Sequence, residues 1–321
     1  MIILITEPRN YSKKAVRLYH SLGKVYFLPE LILRKARVVK NAAHLLVTTL
    51  QYQIDKNWFD AMPNLKVIAV NTTGLNHIDL HEAKKRSIKI ISLKGRSDFL
   101  KYVPSTAEET MGLIFSLMRN LPWAFDHVKG GLWQRDLFKG HQLLDKTIGL
   151  LGFGRLGKLM VKYARAFGMK VIAYDPYVPR NIFKRFRVQP VELDKLFRKS
   201  DILSVHAYLT DETRNMIKER HFRLMKTSAY FVNTARGEIV DEKALLKALK
   251  QKWIAGAALD VLQNESSEGN HLENNPLIRY ARSHKNLIIV PHIGGATYEA
   301  MAITQDFIAD LAAKFFNKKS R

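Results

Sequence analysis

Three reactive side chains each follow a predicted β-strand in the second half of the chain. Arg236 lies in Asn233-Thr234-Ala235-Arg236-Gly237, after Tyr230–Val232. Glu265 ends the run Asp260-Val261-Leu262-Gln263-Asn264-Glu265, after Gly256–Leu259. His292 lies in Pro291-His292-Ile293-Gly294-Gly295, after Leu287–Val290. Taken singly, these read as a surface charge, a solvated loop acid and a satisfied loop histidine. Jointly they suit one chemistry, the reduction of a 2-oxo acid. That reaction needs a cation to hold the carboxylate and polarise the ketone, and an acid to deliver a proton as hydride reaches C2. Arginine suits the first task because its planar fork matches a carboxylate and keeps its charge. Histidine suits the second because its reference pKa of about 6.5 lies near working pH. A carboxylate at hydrogen-bond distance favours the imidazolium and orients the ring, the part expected of Glu265. No His-Glu-x-x-His and no run of acids at ligand spacing competes, so no metal site is expected.

A hydride donor is implied by a second constellation. The apolar strand Thr147–Leu151 runs into Gly152-x-Gly154-x-x-Gly157, a helix opens near Arg155, and the next strand, Lys170–Tyr174, delivers Asp175. In such a loop the first glycine allows the tight turn and the second lets backbone approach a pyrophosphate. The third permits close helix-to-strand packing. Asp175 follows Gly157 by 18 residues, against the roughly 20 expected of a ribose-binding carboxylate. Its charge repels a 2′-phosphate, which favours NAD over NADP. Arg180 and Lys184 stand near enough in sequence to keep NADP in view.

The elements that must carry these groups alternate along the chain. Strands are expected at Ile2–Ile5, Lys24–Phe27, Leu45–Val47, Val67–Val70 and Ile88–Ser92, with helices such as Lys13–Leu22 and His81–Arg86 between them. A second series runs Ile148–Leu151, Val171–Tyr174, Ile202–Val205, Tyr230–Val232, Gly256–Leu259 and Leu287–Val290. Strands alternating with helices imply parallel sheets covered on both faces. The first series has no glycine fingerprint. Between the two lie the polar stretch Lys94–Tyr102 and Ser105 with Glu108, a capping box for a helix through Met118 that is interrupted near Pro122. The last segment, Thr297–Phe316, is helical and is expected to return to the first unit.

Composition narrows the class. With no cysteine there is no disulfide framework and no thiolate chemistry. No apolar stretch reaches the length of a membrane span, and the start Met1-Ile2-Ile3-Leu4-Ile5 lacks the basic, cleavable form of a signal peptide, so the cytoplasm is expected. The formal net charge of +23 raises the question of nucleic acid. The cations are spread along the chain, with clusters at Arg180–Arg187 and Lys314–Arg321 that lack nucleic-acid motifs. A solvated basic surface is the plainer reading, with a nucleotide-sensing, corepressor-like interaction protein as the alternative.

At this point the sequence resembles the D-isomer-specific 2-hydroxyacid dehydrogenase family over nearly its whole length. Beside the runs above, the likeness is carried by Gly74-Leu75-Asn76-His77-Ile78-Asp79 and Thr106-Ala107-Glu108-Glu109-Thr110. It continues in His206-Ala207-Tyr208-Leu209-Thr210 with Thr213. The resemblance implies an α/β fold of two doubly wound parallel-sheet domains. A Rossmann cofactor domain (102–291) would be inserted into a flavodoxin-like substrate domain (1–101 and 292–321). It also implies a homodimer. Arg236, Glu265 and His292 would be catalytic. Gly152, Gly154, Arg155, Leu156, Gly157, Asp175, Thr73, Thr106, His206, Ala207, Thr213, Thr234, Ala235, Arg236, Asp260 and His292 would hold NAD. Thr73, Gly74 and Leu75, with Arg236 and His292, would hold the substrate.

Departures from the family pattern are Tyr208 and Ser266, each where proline is usual, and Leu262 in place of a common phenylalanine. None removes a reacting group. Glu265 stands where the family's formate enzymes carry glutamine. Thr48-Thr49 occupies the place of an arginine-serine pair in enzymes of 3-phosphoglycerate, and so resembles the glyoxylate and hydroxypyruvate reductases. Lys94, Arg96 and Lys101 keep 3-phosphohydroxypyruvate open as a second substrate, against the plainer reading of a solvated basic hinge. With Arg321 closing one last helix, no serine-sensing regulatory domain is expected.

Overall fold

The computed structural model describes residues 1–6, 11–265 and 273–319, the side chains of 318–319 excepted. The chain separates into two compact units. The smaller holds Met1–Leu100 with Thr297–Arg321, and the larger holds Lys101–Glu265 with the stretch ending at Ala296.

In the smaller unit the strands are β1 (Ile2–Ile5), β2 (Lys24–Phe27), β3 (Leu45–Thr48), β4 (Val67–Val70) and β5 (Lys89–Ser92). They form one parallel sheet in the order β2-β1-β3-β4-β5, the flavodoxin-like winding. The central strands β3 and β4 are apolar and buried along their whole length, as strands covered on both faces must be. Ser12 caps the helix Lys13–Leu22 by accepting the Ala15 N–H. That helix packs on the last one, Tyr298–Lys319. The Ser12 N–H donates to Gln305 Oε1 at 2.8 Å, and Phe99 stacks on Phe307 with ring centroids 3.9 Å apart. The C-terminal helix therefore does return to the first unit. Phe99 belongs to a short helix, Ser97–Leu100, inside the stretch read as a polar crossing, while Lys94, Arg96 and Lys101 are exposed.

The larger unit carries β6 (Thr147–Leu151), β7 (Lys170–Tyr174), β8 (Gln189–Pro190), β9 (Ile202–Val205), β10 (Tyr230–Asn233), β11 (Gly256–Leu259) and β12 (Leu287–Ile289). These strands are parallel in the order β12-β11-β10-β9-β6-β7-β8, a Rossmann sheet extended by one strand. The order reverses between β6 and β9, and in such sheets the crevice beyond the carboxyl ends of those two strands takes the ligand. One face buries Phe197, Phe222 and Phe231, and the other buries Phe153, Met160 and Phe183.

Local details correct the sequence reading. The helix Ser105–Met118 begins at Ser105 itself, with Pro104 as its N-cap and no side-chain cap. The expected capping box is absent: Ser105 Oγ is buried without a hydrogen-bond partner, and Pro104 O takes the Ala107 and Glu108 N–H groups. Pro122 starts the next helix, Leu121–Lys129, where its missing N–H costs nothing, and Asn120 makes the break in a left-handed conformation (φ 55°). The short edge strand β8 gave no sequence signal. His292 through Ala296 group with the larger unit, because backbone bonds to Asp260 tie that stretch to β11.

Gly149 in β6 shows how tightly the larger unit is wound. A Cβ there would overlap Ser200 Oγ and lie 3.2 Å from Leu196 Cδ1. Gly149→Ala is therefore expected to lower unfolding stability by about 1–3 kcal/mol. At Gly112, inside the helix Ser105–Met118, an added Cβ meets nothing within 4 Å. Gly112→Ala should be neutral or stabilising by up to about 1 kcal/mol. Urea unfolding midpoints of both variants check the contrast.

Candidate active site

β6 ends in the glycine loop. Gly152 has φ +99°, and a Cβ on it would lie 2.7 Å from Ala207 N and from the His206 carbonyl carbon. Only glycine satisfies both the conformation and the approach of the loop after β9. At Gly157 a Cβ would overlap Gly152 O, so the helix Arg155–Ala166 packs directly onto the turn. Gly154 behaves differently: a Cβ there meets no protein atom within 4 Å. The space over the start of this helix is open, and no side chain caps it. Such a start presents N–H groups and the positive dipole end to an anion. A dinucleotide pyrophosphate fits this cradle.

Asp175 stands at the end of β7. Its Oδ2 accepts the Phe153 N–H at 2.8 Å and its Oδ1 the Tyr177 N–H at 3.0 Å. Two backbone donors fix the carboxylate, and each oxygen keeps a second lone pair for a ribose hydroxyl. The next residue of the loop, Arg155, sends Nη1 to Val103 O at 2.6 Å, and Leu156 is half-buried beside it.

Three other expected cofactor contacts have a different character. The His206 ring turns to Ser204, Nε2 to Oγ at 2.8 Å, and burial pushes its pKa down to about 4, so the imidazole is neutral. Its backbone, not its ring, borders Gly152. Thr213 Oγ1 accepts the Thr210 N–H at 2.8 Å and donates to Tyr208 O at 2.6 Å, closing its own turn. Tyr208, at the proline position, is 71% exposed. Thr106 offers its carbonyl to Thr110 Oγ1 at 2.7 Å, and Thr110 Oγ1 meets Thr234 Oγ1 at 2.8 Å. That chain joins the helix Ser105–Met118 to the loop after β10.

The same loop carries Arg236. Asn233 ties it from below: its Nδ2 donates to Arg236 O at 2.9 Å, and its Oδ1 accepts the Ala235 N–H at 3.0 Å. At Gly237 a Cβ would overlap the backbone of Leu262, so the β10 and β11 loops lie in direct contact. Burial pulls Arg236 below the ordinary arginine range, and Glu265, Glu238 and Asp260 oppose that pull. A guanidinium remains charged under such conditions.

Glu265 and His292 meet. Glu265 Oε2 accepts the Leu262 N–H at 3.1 Å, and Oε1 is hydrogen-bonded to His292 Nδ1. The imidazole is thereby oriented, with Nε2 left as the nitrogen to carry a transferable proton. The Arg236, Glu265 and His292 side chains thus belong to one neighbourhood at the carboxyl edge of the sheet that carries Gly152–Gly157.

His292 is held at φ 52°, a left-handed conformation that costs a residue with a Cβ about 1–3 kcal/mol. Asp260 supplies the restraint. Its carbonyl accepts the His292 N–H at 2.8 Å, while Oδ1 and Oδ2 accept the Ile293 and Gly294 N–H groups at 2.6 and 3.0 Å. Bonds to a charged acceptor contribute roughly 1.5–3 kcal/mol each, so the clamp outweighs the strain.

Thr73, Gly74 and Leu75 follow β4 in the smaller unit, where Thr72 Oγ1 donates to Gly74 O at 2.7 Å. Ser266 lies outside the described residues. Among the described residues no three His, Asp or Glu side chains are placed to hold a metal ion, and no helix is long and apolar enough to cross a membrane. Glu109 and Thr110 escaped the sequence reading as chemical residues. Their signal was position: they follow Thr106 by three and four residues, on the same helix face.

Residues 111–294 match the family described as D-isomer specific 2-hydroxyacid dehydrogenase, NAD binding domain. The chain is 40% identical over 280 residues to the glyoxylate reductase of Thermofilum pendens, covering 84% of this chain and 76% of that protein. It is 34% identical over 313 residues to the D-3-phosphoglycerate dehydrogenase of Methanocaldococcus jannaschii, covering 97% of this chain. It spans only 57% of the length of that relative. Among solved structures, D-lactate dehydrogenase from Aquifex aeolicus complexed with NAD and lactic acid superposes with a TM-score of 0.82 at 28% identity. That match covers 98% of this chain and 96% of the other. With more than half of its length inside the family match, the chain belongs to the D-isomer-specific 2-hydroxyacid dehydrogenases, and its larger unit carries their NAD-binding domain.

Proposed function

We propose that the protein is an NAD-dependent reductase of a small 2-oxo acid, glyoxylate or hydroxypyruvate, acting reversibly on the D-2-hydroxy acid. The observation that carries this reading is the hydrogen bond between His292 Nδ1 and Glu265 Oε1, beside a half-buried Arg236. The Gly152–Gly157 cradle and Asp175 would hold the cofactor, with Thr106, Thr234, Ala235 and Asp260 at its border. NADH, when bound, supplies the hydride that C2 of the oxo acid accepts.

The chain's own residues do the rest. The Arg236 guanidinium binds the substrate carboxylate and draws electron density from the C2 carbonyl. His292, protonated, donates the Nε2 proton to the carbonyl oxygen as C2 becomes tetrahedral, leaving a hydroxyl and a neutral imidazole. Glu265 steadies the imidazolium before the transfer, and solvent returns the proton afterwards. The likeness to glyoxylate reductase and the Thr48-Thr49 pair support the small substrate over a phosphorylated one. A cytoplasmic setting, where NADH is available, goes with this reading.

A homodimer completes the proposal. The helix Leu121–Lys129 and the segment after it expose Phe125 (66%), Trp133 (85%) and Leu137 (67%), with Leu121, Val128 and Leu132 about half exposed. His127 packs edge-on against Phe138, which folds the segment back on the helix. Apolar groups gathered in this way on a surface mark an interaction site, and a second copy of the chain is the occupant we infer.

Three outcomes test these statements. His292→Ala should lower turnover by at least about 10³-fold while NADH binding, followed by fluorescence, stays nearly intact; unchanged turnover would remove His292 from the mechanism. NADH oxidation should be fast with glyoxylate or hydroxypyruvate and slow with 3-phosphohydroxypyruvate, and the reverse order would overturn the substrate assignment. Light scattering should give twice the chain mass for the wild type and the single mass for Trp133→Glu; a wild-type monomer would contradict the dimer.

A further inference from the structure

Glu109 is a carboxyl group with no evident use. It projects from the helix Ser105–Met118, and both its oxygens are buried without a hydrogen-bond partner at normal geometry. Burial of an unpaired carboxylate is costly, so such a group is held as its neutral acid or is paired. Its neighbour is Asp260. A Cβ added to Gly294 would lie 2.5 Å from Glu109 Oε2 and 3.0 Å from Asp260 Oδ2. Both carboxyl groups therefore converge on the same face of Gly294, with the Thr106 methyl group 3.1 Å from that point.

The other charged groups around this pair are few. The helix Ser105–Met118 packs on the helices Leu121–Lys129 and Arg155–Ala166 and on β10, β11 and β12. From the helix Arg155–Ala166, Tyr163 engages Glu108 rather than Glu109. From the loops after β10 and β12, Arg236 and His292 act on Asp260. Burial, and after it the Asp260 carboxylate, push the pKa of Glu109 up to about 8. Asp260 is also raised by burial, but His292 and the Ile293 and Gly294 N–H groups favour its ionised form. These contacts favour the charge on Asp260 and the proton on Glu109.

We propose that Glu109 is a positioning residue: as a neutral acid behind Asp260, it supports the carboxylate clamp that holds His292 in its left-handed conformation. Two carboxylates sharing a dry site cannot both ionise without repulsion. A second negative charge would push Asp260 away from the Ile293 and Gly294 N–H groups, and the His292 turn would lose its restraint. The inference rests on the proposed reaction only for its effect on turnover, not for the clamp itself.

The test compares Glu109→Ala with Glu109→Gln, whose amide is a neutral donor of nearly the same shape. Infrared spectra of the wild type near pH 7 should contain a protonated-carboxyl band that Glu109→Gln lacks. The stability profile has a defined sign. Because the folded pKa lies above the ordinary value of 4.5, the native state holds one more proton than the unfolded chain between about 4.5 and 8. The contribution of Glu109 to wild-type stability is then fully present below about pH 4.5 and is lost as pH rises to about 8, a loss that Glu109→Gln does not share. Their melting temperatures should diverge by about 5 °C across that window.

In histidine NMR spectra, Glu109→Ala should displace the His292 ring signals and Glu109→Gln should return them toward the wild-type position. Turnover of glyoxylate should drop roughly tenfold or more in Glu109→Ala and recover in Glu109→Gln. If the wild type turns over no 2-oxo acid, the proposed function fails while the band, the melting profile and the ring signals still decide the role of Glu109. A band that persists in Glu109→Gln, parallel melting profiles, or a glutamine variant as impaired as the alanine one would overturn the proposal.

Discussion

The acceptor groups of Asp260 govern the geometry of this site. Its carbonyl and both carboxylate oxygens take three successive N–H groups, from His292, Ile293 and Gly294. They hold His292 at φ 52°, a strained conformation for a residue with a Cβ. The clamp follows β11, and β11 is paired with β10, whose following loop carries Arg236. The positions of His292 and Arg236 are therefore set by loops that follow neighbouring strands of one sheet. Gly237, pressed on the Leu262 backbone, brings those two loops into direct contact.

Charge balance follows from that packing. Arg236, Glu265, His292, Asp260 and Glu109 are drawn into a volume where each isolated charge would be costly to desolvate. The structure answers with pairing: Glu265 against His292, and backbone N–H groups on Asp260. Neutrality answers where pairing does not, for Glu109 and for the buried ring of His206. The outcome is a site with one fixed cation and one oriented imidazole, the two features reduction of an oxo acid needs.

Much of this could be read from residue order. Apolar runs alternating with helical patterns marked the strands within about a residue at each end, because strands buried on both faces must be continuously apolar. The glycine spacing was legible because Gly152 and Gly157 answer to steric limits that no other residue meets. Arg236, Glu265 and His292 were legible because each follows a strand. What escaped had no local pattern. The two-residue strand β8 is an edge fragment, and Ser105 fits a capping box in sequence although Pro104 takes that place in space. The internal bonds of the Thr213 and His206 side chains likewise have no signature in residue order. Glu109 shows the converse: an unremarkable helix acid in sequence, it becomes significant only when folding places it against Asp260.

In the proposed reaction Arg236 and His292 act together on one substrate. A crystal structure of the protein with NADH and an unreactive 2-oxo acid analogue such as oxamate tests it most directly. The Arg236 guanidinium is expected on the analogue's carboxylate, with His292 Nε2 within about 3 Å of its carbonyl oxygen. An analogue bound away from these two side chains, or a His292 ring turned from it with Glu265 released, would rule out that joint action.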